Sequence, residues 1–221
     1  MATAATPTVE LNAPAPTRRN SIDREDIIAA ALSLLGPHRS VSTLSLREVA
    51  RAAGIAPNSF YRHFHDMDEL AVALIDRAGQ TLRELIRQAR LRATEAPSII
   101  RSSIETFMEL LADDRKFLQI LLAEGTVGSD AYKQAVEQTL TFFEEELQED
   151  LVRLSTAANA PLHRPDLVAK AITRMVFAMG GNALYKPAEE RREIAEQMMV
   201  MVRFLMEGSE TLYKLEGPGQ A

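Results

Sequence analysis

Apolar residues recur at every third or fourth position along most of this chain, the spacing of one face of an α-helix. A first helix is predicted from about Asp23 to Leu35, with Ile27, Ile28, Ala31, Leu34 and Leu35 on its inner face and Gly36-Pro37 as its stop. Ser45-Leu46-Arg47-Glu48 has the form of a capping box, in which the serine takes one orphan N–H and the glutamate returns the bond. The helix behind it turns Leu46, Val49, Ala50 and Ala53 inward and ends at Gly54, which can take the left-handed conformation. Ile55 plugs the turn. Pro57 suits the first turn of a third helix, expected to end near Phe64. Asp66-Met67-Asp68-Glu69 opens a long fourth helix that runs towards Pro97. Further helices are predicted at about 97–112, 114–123, 129–156, 166–184 and 188–213, separated by Asp113-Asp114, Gly125 to Asp130, Pro161 to Pro165, and Pro187. No stretch alternates with the period of a strand long enough to suggest a sheet.

The expected fold is therefore all-α. Residues 1–20 read as a disordered tail with Pro7, Pro14 and Pro16, closed by the basic pair Arg18-Arg19. Residues 21–67 form a small three-helix unit, residues 68–215 a larger helical domain, and residues 216–221 a frayed tail. The basic pair fits either a solvated tail or an arm that touches DNA phosphates.

Composition narrows the function. The 221 residues are 46% hydrophobic, enough for a substantial core. There is no cysteine, which removes disulfides and Cys-ligated metal sites, and the four histidines are too scattered for a metal site. The N-terminal segment has no signal-peptide core, and no apolar run reaches the roughly 20 residues of a membrane span. A soluble, cytoplasmic protein without membrane association is expected. The net charge of −6 speaks against nucleic acid until its distribution is considered. Residues 17–77 hold eight Arg and eight acids, so the excess negative charge sits almost wholly in the larger domain.

Two short helices joined by a glycine turn and packed on a preceding helix make a helix-turn-helix, whose second helix enters the major groove of DNA. Val49, Ile55, Phe60 and Phe64 are placed to lock the helices, leaving Asn58, Ser59, Tyr61, Arg62 and His63 on or near the outer face. Their short or rigid polar groups suit phosphates and base edges. Phe60 fits the core by its spacing to Phe64, which turns Tyr61 outward; a core role for Tyr61 is the alternative. Arg47, beside the cap at Ser45, fits either a backbone contact or plain solvent exposure. Ser45, Arg47, Asn58, Ser59, Tyr61, Arg62 and His63 are the candidate DNA-binding residues.

The stretch LSLREVARAAGIAPNSFYRHFHDMDEL, residues 44–70, resembles the N-terminal domain of TetR-family transcriptional regulators. Within that family, SLREVAR, SFYRHF, LRELIRQAR and IRSSIETFME resemble the repressors of unsaturated fatty acid biosynthesis. The resemblance covers the N-terminal half well and the C-terminal half loosely. It implies a homodimer on a pseudo-palindromic double-stranded operator, a long-chain fatty acyl-CoA as effector, and fatty acid synthesis or desaturation genes as targets. It also supports His63 as a phosphate contact. One departure bears on the effector: arginines are expected after the Leu-Leu pair, yet Leu121-Leu122 is followed by Ala123-Glu124-Gly125. Arg115, Lys116 and Lys133 then remain as candidate cations for the CoA phosphates.

In the larger domain, Phe107, Met108, Phe117, Leu121, Phe142, Phe143, Met175, Phe177 and Met179 are the candidates to line a hydrophobic effector pocket, with simple core packing as the competing role. Met198, Met199, Met201 and Met206, with Val202 and Leu205, make a late apolar helix that fits an intermolecular four-helix bundle, with Gly180-Gly181 allowing close approach. A helical enzyme lacks a nucleophile–base pair, a metal constellation or a phosphate-cradling glycine loop in this sequence. A pure interaction module leaves the polar third helix unexplained. A same-fold regulator of efflux or another pathway, sensing a different hydrophobic molecule, is the remaining alternative.

Overall fold

The computed structural model describes residues 22–36, 39, 41–92, 96–112, 120–122 and 129–217. The tail 1–20, Arg115, Lys116, Phe117 and residues 123–128 lie outside the described residues.

Helix α1 (Arg24–Leu34) starts from Asp23, whose carboxylate accepts from Asp26 N at 2.9 Å while Asp26 accepts from Asp23 N at 3.0 Å. This is a reciprocal cap, and it places an acidic first turn at the positive end of the helix. Helix α2 (Leu46–Ala52) has the predicted box between Ser45 and Glu48. At its end Ile55 N reaches Ala50 O at 2.9 Å and Gly54 N reaches Arg51 O at 3.1 Å, a Schellman closure. Gly54 has φ +69°, the conformation glycine supplies cheaply. Helix α3 (Pro57–Phe60) is shorter than the sequence suggests. Its regular turn ends at Phe60 and tightens through bonds from Arg62 N to Ser59 O and from His63 N to Phe60 O.

Helix α4 (Met67–Arg92) opens with Asp66 accepting from Glu69 N at 2.8 Å and Glu69 accepting from His65 N at 2.7 Å. It stops at Arg92, earlier than the pattern towards Pro97 suggests. Pro97 instead lies in the first turn of α5 (Ala96–Ala112), where its missing N–H is harmless. Residues 120–122 are helical. Three long helices follow: α6 (Asp130–Ala157), α7 (Pro165–Ala183) and α8 (Ala188–Glu216). Helix α8 runs past the predicted end to Glu216, and Gly217 is its cap, with its carbonyl 2.8 Å from His163 Nδ1.

The first three helices and the start of α4 form a small head, since α1 packs on α2 and on α4. The larger domain packs α4 on α5 and α6, α6 on α7, and α8 on both α5 and α7. The crossing of α4 with α6 is close: a Cβ at Gly79 would lie 2.5 Å from Thr139 Cγ2. One hydrophobic core runs from Ile27 and Phe60 through Leu74 and Leu82 to Phe107, Phe177 and Met198. No helix among the described residues is long and apolar enough to cross a membrane.

Candidate DNA-reading head and ligand cavity

The head divides the aromatic pair at its tip. Phe60 is fully buried and Phe64 nearly so, their rings 5.6 Å apart, whereas Tyr61 is 60% exposed and meets Phe60 edge-on. Consecutive helical residues point about 100° apart, so burying Phe60 turns Tyr61 outward. Asn58 and Arg62 are exposed, and Ser59 and His63 are half-buried beside them. Arg47 is exposed on α2, as is Arg51, a cation the sequence reading passed over. Ser45 is occupied by its cap: its hydroxyl donates to Glu48 Oε2 at 2.7 Å and accepts from Glu48 N. A phosphate would have to take that hydroxyl away from Glu48. Arg39 Nη2 donates to the same carboxylate at 2.6 Å. The Ser45 hydroxyl, and secondarily Arg39, hold the Glu48 carboxyl at about 2, against an ordinary 4.5.

In the larger domain, α4, α5, α6, α7 and α8 enclose a cavity of about 270 Å³. Its wall is mostly apolar and includes Ile86, Ile104, Phe107, Phe143, Ile172 and Phe177. The Phe177 ring sits 5.6 Å from Phe107 and 5.2 Å from Phe143. The loop after α6 contributes Ala158, Ala160 and Leu162. That loop is clipped to α8, because Ser209 Oγ donates to His163 O at 2.7 Å and His163 N donates to Ser209 O at 3.2 Å.

Of the nine predicted pocket residues, this cavity gathers Phe107, Phe143 and Phe177. Leu121 lines a separate, more open hollow with Lys133 and Arg174. Met108 is buried core, and Met175 and Met179 are packed against the core away from the cavity wall. Phe142 is turned out of the domain, 39% exposed, beneath the guanidinium of Arg83 at 4.6 Å. The reason is register: Phe142 and Phe143 are neighbours on α6, and Phe143 takes the inward position. Phe117 lies outside the described residues. The sequence reading missed Ile86 and, above all, Arg90. A signal existed for Arg90, since it follows Leu82 and Ile86 on the buried stripe of α4.

The late apolar helix also needs correction. Met198 and Val202 face their own subunit's core, and Met206 lines the cavity. The outward stripe of α8 is Met201, Phe204, Leu212 and Leu215, with Phe204 67% and Leu215 76% exposed. Leu167 of α7 and Tyr185, in the turn between α7 and α8, are exposed as well. Gly180 does not serve an outer surface: a Cβ there would lie 2.6 Å from the Phe107 ring, so this glycine lets α7 approach α5 inside the subunit. Gly181 has open space around it.

A three-helix head with a polar, arginine-rimmed outer face, set on a larger helical domain, follows the helix-turn-helix plan. Residues 27–74 match the model of the bacterial regulatory proteins of the tetR family. Solved structures share the whole fold. A tetR-family transcriptional regulator from Streptomyces coelicolor superposes with a TM-score of 0.66 at 20% identity, covering 88% of this chain and 84% of that one. The fatty acid degradation regulator FadR from Bacillus halodurans gives 0.66 at 16%, covering 86% and 98%. RolR in complex with resorcinol gives 0.61 at 18%, covering 83% and 91%.

Proposed function

We propose that this protein is a ligand-responsive repressor that binds a pseudo-palindromic DNA operator as a homodimer. The observation that carries the reading is the course of α4. Its first turns, with Leu70 and Leu74, pack into the core beside the head, and its last turns supply Ile86 and Arg90 to the cavity. A ligand that prefers one placement of α4 then favours one spacing of the two heads, and only one spacing fits both half-sites. Asn58, Ser59, Tyr61, Arg62 and His63 meet the DNA, with Arg47 on the flanking backbone. Dimerisation uses the outward stripe of α8 together with Leu167 of α7 and Tyr185 in the turn between them, because these large apolar side chains are exposed and a second copy of the chain would cover them. Binding of the full chain to a palindromic promoter duplex, followed over a salt series, tests this. Affinity is expected to fall steeply with salt, since phosphates supply the non-specific attraction. Binding indifferent to salt contradicts the reading.

The effector is a hydrophobic small molecule. Long-chain acyl-CoA, with fatty acid synthesis or desaturation genes as targets, is the effector and pathway implied by the resemblance of residues 45–109, and the apolar wall suits an acyl chain. FadR and RolR share the fold while their names point to different ligands, so the fold does not choose between them. A regulator of another pathway, efflux included, is favoured by two observations: the cavity lies near the lower end of the roughly 300–1,000 Å³ of ligand pockets, and its one cation, Arg90, already faces two carboxylates. Titration of saturated and unsaturated acyl-CoAs into the operator assay distinguishes the two. No shift from either removes the acyl-CoA assignment.

A further inference from the structure

Arg90 is a cation on an apolar face. Its side chain is 8% exposed and lines the cavity. Two carboxylates of α6 approach it, Asp150 Oδ2 at 3.0 Å from Nε and Glu146 Oε2 at 3.7 Å from Nη2. The close approach of Asp150 lacks the alignment of a hydrogen bond, so the Nε–H of Arg90 is buried and unmatched. A buried donor without an acceptor carries a penalty, and an acceptor placed in the cavity beside it would relieve that penalty.

The charges of the wall select that acceptor. The charge of Arg90 already has counterions within the protein: it faces Asp150 and Glu146, and Asp150 also pairs with Arg153. Towards α8, Glu210 is paired with Lys214 at 2.6 Å and Glu207 is exposed to solvent. A ligand carboxylate would crowd a third anion around one guanidinium. A ligand ammonium would bring a second cation beside Arg90. Beside Arg90 each adds a charge where the carboxylates of Asp150 and Glu146 already face the guanidinium. A neutral oxygen satisfies the donor and leaves the balance unchanged.

We propose that the cavity takes a compact, uncharged molecule whose apolar body packs on Phe107, Phe143 and Phe177 and whose carbonyl oxygen accepts a hydrogen bond from Arg90 Nε. This rests on the ligand-responsive reading above and names its ligand class. At about 270 Å³ the cavity lies just below the roughly 300–1,000 Å³ of ligand pockets, which suits a compact ligand. Arg90 is the specificity residue, and the aromatic rings supply most of the affinity.

Four probes of one size test this by calorimetry on the full-length protein: propiophenone, propylbenzene, hydrocinnamate and phenylpropylamine. Propiophenone is expected to bind tightest, roughly fivefold over propylbenzene, the worth of one hydrogen bond. The two charged probes are expected to bind more weakly than propylbenzene. In Arg90→Met the advantage of the ketone over the hydrocarbon disappears while propylbenzene binding persists. Because that variant leaves Asp150 without Arg90, Arg90→Met/Asp150→Leu is measured beside it and is expected to show the same loss. Hydrocinnamate or phenylpropylamine binding tightest overturns the proposal, as does equal binding of ketone and hydrocarbon to the unmodified protein. Binding of none of the four overturns it too, and operator binding would then stand by itself. If the expected order appears while operator affinity stays fixed, the ligand class holds and the regulatory reading fails.

Discussion

At the scale of single residues, two neighbours on α3 divide stability from recognition. Phe60 fills the core of the head and Tyr61 faces outward. Phe60→Ala is expected to lower the stability of the protein by about 3–5 kcal/mol, the range for emptying a buried phenylalanine site, seen as a lower denaturant midpoint. Tyr61→Phe removes one hydroxyl from an exposed ring. It should leave the melting temperature unchanged and weaken operator binding by about 1–3 kcal/mol, if that hydroxyl meets a phosphate. A melting temperature that falls for Tyr61→Phe and holds for Phe60→Ala would reverse the two faces. Gly54 shows a different kind of residue effect. Nothing stands within 4 Å of a Cβ built there, yet its φ is +69°. Gly54→Ala is therefore expected to destabilise by about 1 kcal/mol through backbone strain alone, with no crowding to relieve by a second substitution.

At the scale of elements, α2 depends on its first turn. Ser45, Glu48 and Arg39 form one hydrogen-bonded group around the Glu48 carboxylate. Ser45→Ala should cost about 0.5–2 kcal/mol. The Glu48 carboxyl is held at about 2 when folded and returns to an ordinary 4.5 when unfolded. The unfolded chain thus takes up its proton first as pH falls. The stabilisation is complete above about pH 4.5 and fades towards about pH 2. Glu48→Gln should flatten this part of the stability–pH curve, and an unchanged curve would show that Glu48 is not its source. Between α5 and α7 the contact is steric. Gly180→Ala places a methyl 2.6 Å from the Phe107 ring, so the ring or a helix must shift. An overpacking loss of about 1–3 kcal/mol is expected, together with weaker binding of any cavity ligand, since Phe107 is part of the wall.

At the scale of the whole molecule, the proposed homodimer rests on the outer face of α8. Phe204 projects from the middle of an exposed apolar stripe that also contains Met201 and Leu212. Phe204→Glu places a charge on that stripe without touching the subunit's own core. Sedimentation is expected to show a monomer with unchanged helical content, and operator affinity is expected to collapse because two half-sites can no longer be engaged together. A dimer that survives this change uses another surface.

The amino-acid sequence by itself determined the helical class, the capped starts at Asp23, Ser45 and Asp66, the turn at Gly54 and the opposed directions of Phe60 and Tyr61. All of these follow from contacts a few residues apart, where the 3.6-residue period and cap chemistry act directly. Tertiary structure alone decided which apolar residues surround space and which fill it. Phe107, Met108, Phe142, Met175, Phe177 and Met179 share one hydrophobic signal, yet Phe107 and Phe177 reach the cavity while Phe142 lies outside beside Arg83. The choice depends on how five helices cross, and crossings are set by close approaches between residues distant in sequence, such as Gly79 on Thr139 and Gly180 on Phe107. The same holds for the assembly face. Met198 and Phe204 both read as apolar positions of one helix, and only the packing of α8 against α5 and α7 turns the first inward and the second to solvent. Arg90 lies between these cases. Its register on α4 places it on the buried stripe, but its charge partners come from α6, sixty residues away for Asp150, where no local pattern can reach.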